Sequence, residues 1–158
     1  CAVLTVSDTR TAANDSSGDL LAAFISDSGH RLAARALLPD DRYQLRAQVS
    51  AWIADPQIQV VISTGGTGFT GRDSTPEALL PLFDKTIDGF GELFRAASVA
   101  DIGAATIQSR AFAGLANGTI VFCMPGSPAP ASDDAHLGVL LGFLLAGERI
   151  KSHVGKQR

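Results

Sequence analysis

Cysteine is too scarce here for a disulfide scaffold. The 158-residue chain holds two, Cys1 and Cys123, and their spacing matches no metal motif. A reducing, cytoplasmic compartment is the expectation. Histidine is equally thin. His30, His136 and His153 stand far apart and form no zinc signature. No uninterrupted apolar run reaches the ~18–20 residues of a membrane span. The most apolar stretch, 137–146, reads as a buried helix instead. No secretory-signal pattern is visible. An excess of either charge is also missing. Thirteen Lys and Arg stand against sixteen Asp and Glu, a net charge of −3. Nothing therefore draws the chain to nucleic acid or to an anionic membrane, and any phosphate site has to be local.

Apolar residues make up 46% of the chain and charged residues 18%. That balance and length predict one globular domain over residues 1–158, with a frayed basic tail at 150–158. Ala2–Ser7 reads as a buried strand and Arg31–Leu38 as a second. Ile58–Ile62 is the third strand, Ala111–Leu115 a weak one and Thr119–Met124 a clear one. Asn117-Gly118 is a hairpin signal between the last two. Helices are expected from the Asp15–Gly18 caps to Gly29, over Asp41–Ala54, from Pro76 to about Phe83, from Gly91 to about Val99, and over 135–150. Lys85–Phe90 reads as a connection, and Ile102–Ser109 as a short helix or turn. Strands alternating with helices predict a three-layer α/β/α sandwich around a mostly parallel sheet.

The loops after the strands carry the chemistry. Thr64–Thr75 holds Gly65, Gly66, Gly68 and Gly71, with Arg72 and Asp73 beside them. Such a loop lets backbone N–H groups approach an anion, most simply phosphate. A plain surface connection is the alternative use of so many glycines. A Walker loop is excluded, because Gly71-Arg72-Asp73 stands where Gly-Lys-Ser/Thr is needed. A dinucleotide fingerprint fits only partly: Gly66, Gly68 and Gly71 have its spacing, yet no apolar helix follows. Ser7–Gly18, Pro39-Asp40, Thr64–Thr75 and Pro125–Ser127 all follow strands, so they should meet at one sheet edge. There Asp40 and Asp73 form a candidate Mg²⁺ pair beside phosphate binders, with Arg72 or Arg110 as a cation. Arg72 reads equally as a loop salt bridge. Asp41 reads as a helix cap, and Arg95 as structural. No Ser-His-Asp or Cys-His arrangement is present.

Several stretches together resemble a known family. They are Thr64–Gly68, Arg72-Asp73, Thr75–Ala78, Asp15–Gly18, Pro39–Asp41, Gly89–Arg95, Ser109-Arg110 and Met124–Ser127. Taken in chain order they resemble the MoaB/Mog family of molybdenum cofactor biosynthesis proteins, and the wording of Arg46–Ile53 and Pro76–Phe83 most resembles its bacterial MoaB branch. The resemblance covers roughly Ala2 to Ser127. It implies a molybdopterin-binding, MogA-like fold that assembles as a trimer or hexamer. It implies molybdopterin as substrate, with ATP and Mg²⁺, in a reaction that gives adenylylated molybdopterin and pyrophosphate. Asp40 and Asp73 would be the catalytic, metal-holding pair. Thr64, Gly65, Gly66, Thr67 and Gly68 would hold phosphate. Glu92, Ser109, Pro125, Gly126 and Ser127 would line the pterin or nucleotide pocket. After Ser127 the sequence departs from the branch, which removes support for the subunit contacts of that region. A homo-oligomer that holds molybdopterin without turning it over is the second reading, and an unrelated nucleotide-binding domain the third.

Overall fold

The computed structural model describes residues 1–126. The helix expected at 135–150, the basic tail and Ser127 lie outside them. Six strands among the described residues form one sheet: β1 (Ala2–Val6), β2 (Ala34–Leu38), β3 (Val60–Thr64), β4 (Lys85–Thr86), β5 (Phe112–Ala116) and β6 (Thr119–Met124). Their spatial order is β2-β1-β3-β6-β5-β4. β2, β1, β3 and β6 run parallel, and β5 pairs antiparallel with both β6 and β4. The mostly parallel sheet is as the alternating pattern predicts.

Among the described residues four α-helices flank it: α1 (Ser16–Asp27), α2 (Arg42–Ala54), α3 (Thr75–Leu79) and α4 (Asp88–Ile102). Successive strand residues face opposite sides, which sorts the apolar residues into two cores. Val3, Ile62 and Phe122 form one cross-strand row. They pack with Leu21 and Ile25 of α1 and with Phe90 and Phe94 of α4. Phe90 meets Phe122 at 5.1 Å between ring centroids. On the other side Leu4, Val61, Val121 and Cys123 pack with Leu45, Val49 and Trp52 of α2 and with Ala78 and Leu79 of α3. Both faces are covered, hence the continuous apolar runs in β1, β3 and β6. Burial pushes the Cys123 thiol up, so it stays protonated and packs as a small apolar group.

Some bounds differ from the sequence expectation. β4 falls in the stretch expected as a connection; its two polar residues, exposed in the structure, become a strand only by pairing with Leu115 and Gly114. α4 opens at Asp88, three residues early, so Phe90 lies inside its first turn. Ala33 and its neighbours blurred the start of β2, which is Ala34 and not Arg31. The expected short helix after Ile102 is a 3₁₀ segment, Gly103–Gln108. Asp15 and Asp41 cap α1 and α2 through their carboxylates, bonding Gly18 N–H in the first case and Tyr43 and Gln44 N–H in the second.

Candidate phosphate-binding cleft

Because β1, β3 and β6 are parallel, Val6, Thr64 and Met124 end at one edge. The loops beyond them enclose a cleft of ≈ 590 Å³. Thr64, Gly65, Gly66, Thr67 and Gly68 line it, with Asp73 from the same loop. Pro125 and Gly126 follow β6, and Ser109 arrives from the end of the 3₁₀ segment. The Ser109 hydroxyl is buried and has no hydrogen-bond partner among the described residues.

The Gly-rich loop is held so that its carbonyls face away from an incoming anion. Thr75 Oγ1 donates to Gly65 O at 3.0 Å, and Thr75 N–H to Gly66 O at 2.9 Å. Arg110 takes the next two: Nε donates to Thr67 O at 3.0 Å and Nη2 to Gly68 O at 2.5 Å. Gly65 N–H donates back to Met124 O at 3.0 Å. The N–H groups of Gly66 and Thr67 meet no protein acceptor among the described residues. Two free amides with every neighbouring carbonyl occupied make an anion cradle. Gly65 and Gly66 have φ of 101° and 65°, which an L side chain rarely adopts. A Cβ on Gly66 would also lie 2.5 Å from Asp40 Oδ2.

Three carboxylates gather behind this loop. Asp40 Oδ1 accepts from Ser74 N–H at 3.0 Å and from Ser74 Oγ at 2.6 Å. Asp73 Oδ2 accepts from Thr70 N–H at 2.8 Å and Thr70 Oγ1 at 2.6 Å. Asp8 Oδ1 accepts from Asp40 N–H at 3.1 Å, and Asp8 Oδ2 pairs with Arg72 Nε at 2.8 Å. Burial raises Asp40 above its ordinary value; the charges of Asp73 and Asp8 add to this, and the Ser74 bonds oppose it. The Thr70 hydroxyl holds Asp73 below the usual range, and Arg72 does the same for Asp8. A divalent cation fits this set. Asp40 Oδ2 has no hydrogen-bond partner among the described residues, and mutual repulsion is what a cation would relieve. Among the described residues no three His, Cys, Asp or Glu side chains form a ready metal cluster. Two carboxylates with ligand oxygens and waters still satisfy Mg²⁺.

Residues 2–141 match the family described as "Probable molybdopterin binding domain". Molybdenum cofactor biosynthesis protein B of Escherichia coli K12 is 53% identical over 126 residues, 80% of this chain and 74% of that protein. Its Bacillus subtilis counterpart is 48% identical over 128 residues, 80% of this chain and 75% of that one. A crystal structure of a molybdenum cofactor biosynthesis protein B superposes with a TM-score of 0.89 at 38% identity, covering 97% and 95% of the two chains. The chain belongs to the molybdopterin-binding domain family. That membership removes the reading as an unrelated nucleotide-binding domain, and the MoaB-branch resemblance holds.

Within this family member the expected site residues are mostly together. Thr64 to Gly68, Asp73, Ser109, Pro125 and Gly126 share the cleft. Asp40 sits just behind it, against Gly66. Glu92 is the exception. Phe90 and Phe94, four apart on α4, face the core. Glu92, two residues along the helix from each, is therefore turned outward. It lines a separate hollow of ≈ 200 Å³ with Asp88 and Arg95. Neither arginine considered as an anion ligand lines the cleft. Arg72 is 73% exposed and paired with Asp8, and Arg110 spends its donors on loop carbonyls. Arg95 donates to the Ser109 and Ala111 carbonyls, a structural role. Sequence reasoning missed Arg10 and Ser17, which line the cleft, and Asp8. All three lie in the polar loop Ser7–Gly18 after β1; its position beyond a parallel strand was the signal for Arg10 and Asp8, and Ser17 also falls in the Asp15–Gly18 stretch.

Proposed function

We propose that this chain acts in molybdenum cofactor biosynthesis as a one-domain cytoplasmic enzyme that binds molybdopterin and adenylylates it with Mg-ATP. The observation that carries the reading is the cradle. Gly66 and Thr67 offer free N–H groups in a cleft shared with Asp73, and Asp40 stands behind. In the reaction, a phosphate oxygen of the pterin forms a bond to the α-phosphorus of ATP. The bond from that phosphorus to the bridging oxygen breaks, and pyrophosphate leaves. Such a transfer needs positioning and charge neutralisation more than proton movement. Residues 64–68 hold phosphate oxygens. Ser109, Pro125 and Gly126 form the wall for the pterin or the nucleotide. Asp40 and Asp73 would hold Mg²⁺, which supplies positive charge to the leaving pyrophosphate. Self-association into a trimer or hexamer is supported by Leu93, Val99, Ile102 and Ile107, large apolar side chains 50–81% exposed on α4 and the segment after it.

Incubation with molybdopterin, ATP and Mg²⁺, following pyrophosphate and adenylylated product, tests the reading. Product formation is the expected result. The second reading, a molybdopterin-holding oligomer without turnover, draws on the names of the two bacterial relatives reported above, both protein B, and on Asp73 already serving Thr70. Binding without product favours it, and absence of binding removes both.

A further inference from the structure

We propose that Arg10 is the side chain that takes the charge of a phosphate group in this cleft. The proposal deepens the binding reading above and rests on it for the identity of the phosphate's owner. Among the described residues that line the cleft, Arg10 is the one cation, and Asp73 the one anion. Backbone amides orient a phosphate but carry only partial charge. With no cation on those carboxylates, a phosphate entering a cleft whose wall holds Asp73, with Asp40 and Asp8 behind, meets net repulsion unless a side-chain positive charge faces it.

The local structure aims Arg10 there and leaves it charge to give. Ser7 Oγ accepts from Thr9 N–H at 3.3 Å and from Arg10 N–H at 3.1 Å, which turns the chain after β1. Arg10 Nη1 then donates to Ser17 Oγ at 2.8 Å, beside the cleft. The carboxylate next to it, Asp15, is 1% exposed and answers mainly to others. Asp15 Oδ2 takes Arg35 at 2.7 Å and Thr5 Oγ1 at 2.9 Å, and Oδ1 takes Gly18 N–H at 3.0 Å. Arg10 is left at 3.7 Å from Asp15 Oδ1. Asp15 therefore steers Arg10 from 3.7 Å, while its close cation is Arg35, which also bonds the exposed Asp19 at 2.6 Å. Nε and Nη2 of Arg10 have no partner among the described residues. They form the fork that suits a phosphate.

Pyrophosphate is the first probe, because its binding is independent of pterin chemistry. Titrations compare the full chain with Arg10→Gln, Arg10→Lys and Arg31→Gln. Arg31 sits beyond the opposite end of β2 and bonds Gln57 at 3.2 Å, so its loss removes equal charge far from the cleft. Arg10→Gln is expected to weaken pyrophosphate about 10- to 100-fold, the worth of a hydrogen bond to a charged group. Arg10→Lys restores part of this, and Arg31→Gln none of the loss. All melting temperatures stay within about 2 °C. The same variants titrated with ATP and with molybdopterin show which substrate's phosphate sits there, as the one that weakens in parallel. Wild-type strength in Arg10→Gln, an equal fall in Arg31→Gln, or no pyrophosphate binding by the unaltered chain overturns the proposal. A chain that binds pyrophosphate through Arg10 but not molybdopterin overturns the functional reading alone.

Discussion

Arg110→Leu should loosen the anion cradle more than any other single change outside it. Arg110 donates to Thr67 O at 3.0 Å, Gly68 O at 2.5 Å and Asp73 O at 3.2 Å. It also pairs with Glu77 at 2.5 Å and lies 5.3 Å from the Phe69 ring centre. Hydrogen bonds from a charged donor contribute about 1.5 kcal/mol each at the low end. The ion pair to a 44% exposed Glu77 adds less than about 1 kcal/mol. Leucine keeps the apolar stem, and the freed carbonyls reach some water, so the net loss is about 3 kcal/mol. A domain of this size loses roughly 2–4 °C per kcal/mol, giving a fall of roughly 6–12 °C by calorimetry. Phosphate affinity should drop as well, since Thr67 O and Gly68 O are then free to turn toward the ligand. Arg110→Lys keeps the charge but not the fork, and should fall between. A melting temperature lowered by under about 2 °C, with pyrophosphate bound as before, would refute this account of the loop.

Asp40→Asn keeps an acceptor for Ser74 but removes a charge that Asp73 and Asp8 repel. Turnover should be lost while the melting temperature at neutral pH does not fall. The folded protein raises this carboxyl, so the ionised form costs stability above that raised value; the benefit of Asn shrinks as pH falls toward 3.8. A drop of more than about 3 °C at pH 7 contradicts this. Asp73→Asn should abolish turnover at a cost of about 1 kcal/mol, because Asn can still accept from Thr70; retained turnover contradicts the assignment. Gly66→Ala should weaken pyrophosphate and lower the melting temperature together, as φ is positive there and a Cβ meets Asp40.

The mostly parallel sheet, its flanking helices and the convergence of the loops were legible because each rests on local pattern plus one topological rule. The Gly-rich loop announced itself by composition. Orientation was less legible. Glu92 lies within a family-like stretch, yet the Phe90 and Phe94 spacing turns it away, and that follows only when α4 is known to begin at Asp88. Arg110 resembled an anion ligand because any loop arginine does; three carbonyls far away in sequence decide otherwise. Arg10 was hidden for the opposite reason. It lies outside the Asp15–Gly18 motif of its loop, and only the hydrogen bonds of Ser7 and Ser17 and the nearby Asp15 give it direction.

The most direct test of the central claim is whether molybdopterin occupies this cleft. Ala105 lines it on an exposed stretch of the 3₁₀ segment, so Ala105→Trp fills the space without disturbing either core. Equilibrium titration with molybdopterin should give saturable binding to the unaltered chain and at least about a tenfold loss in Ala105→Trp at equal melting temperature. Equal affinity in both would place the pterin elsewhere and contradict the account.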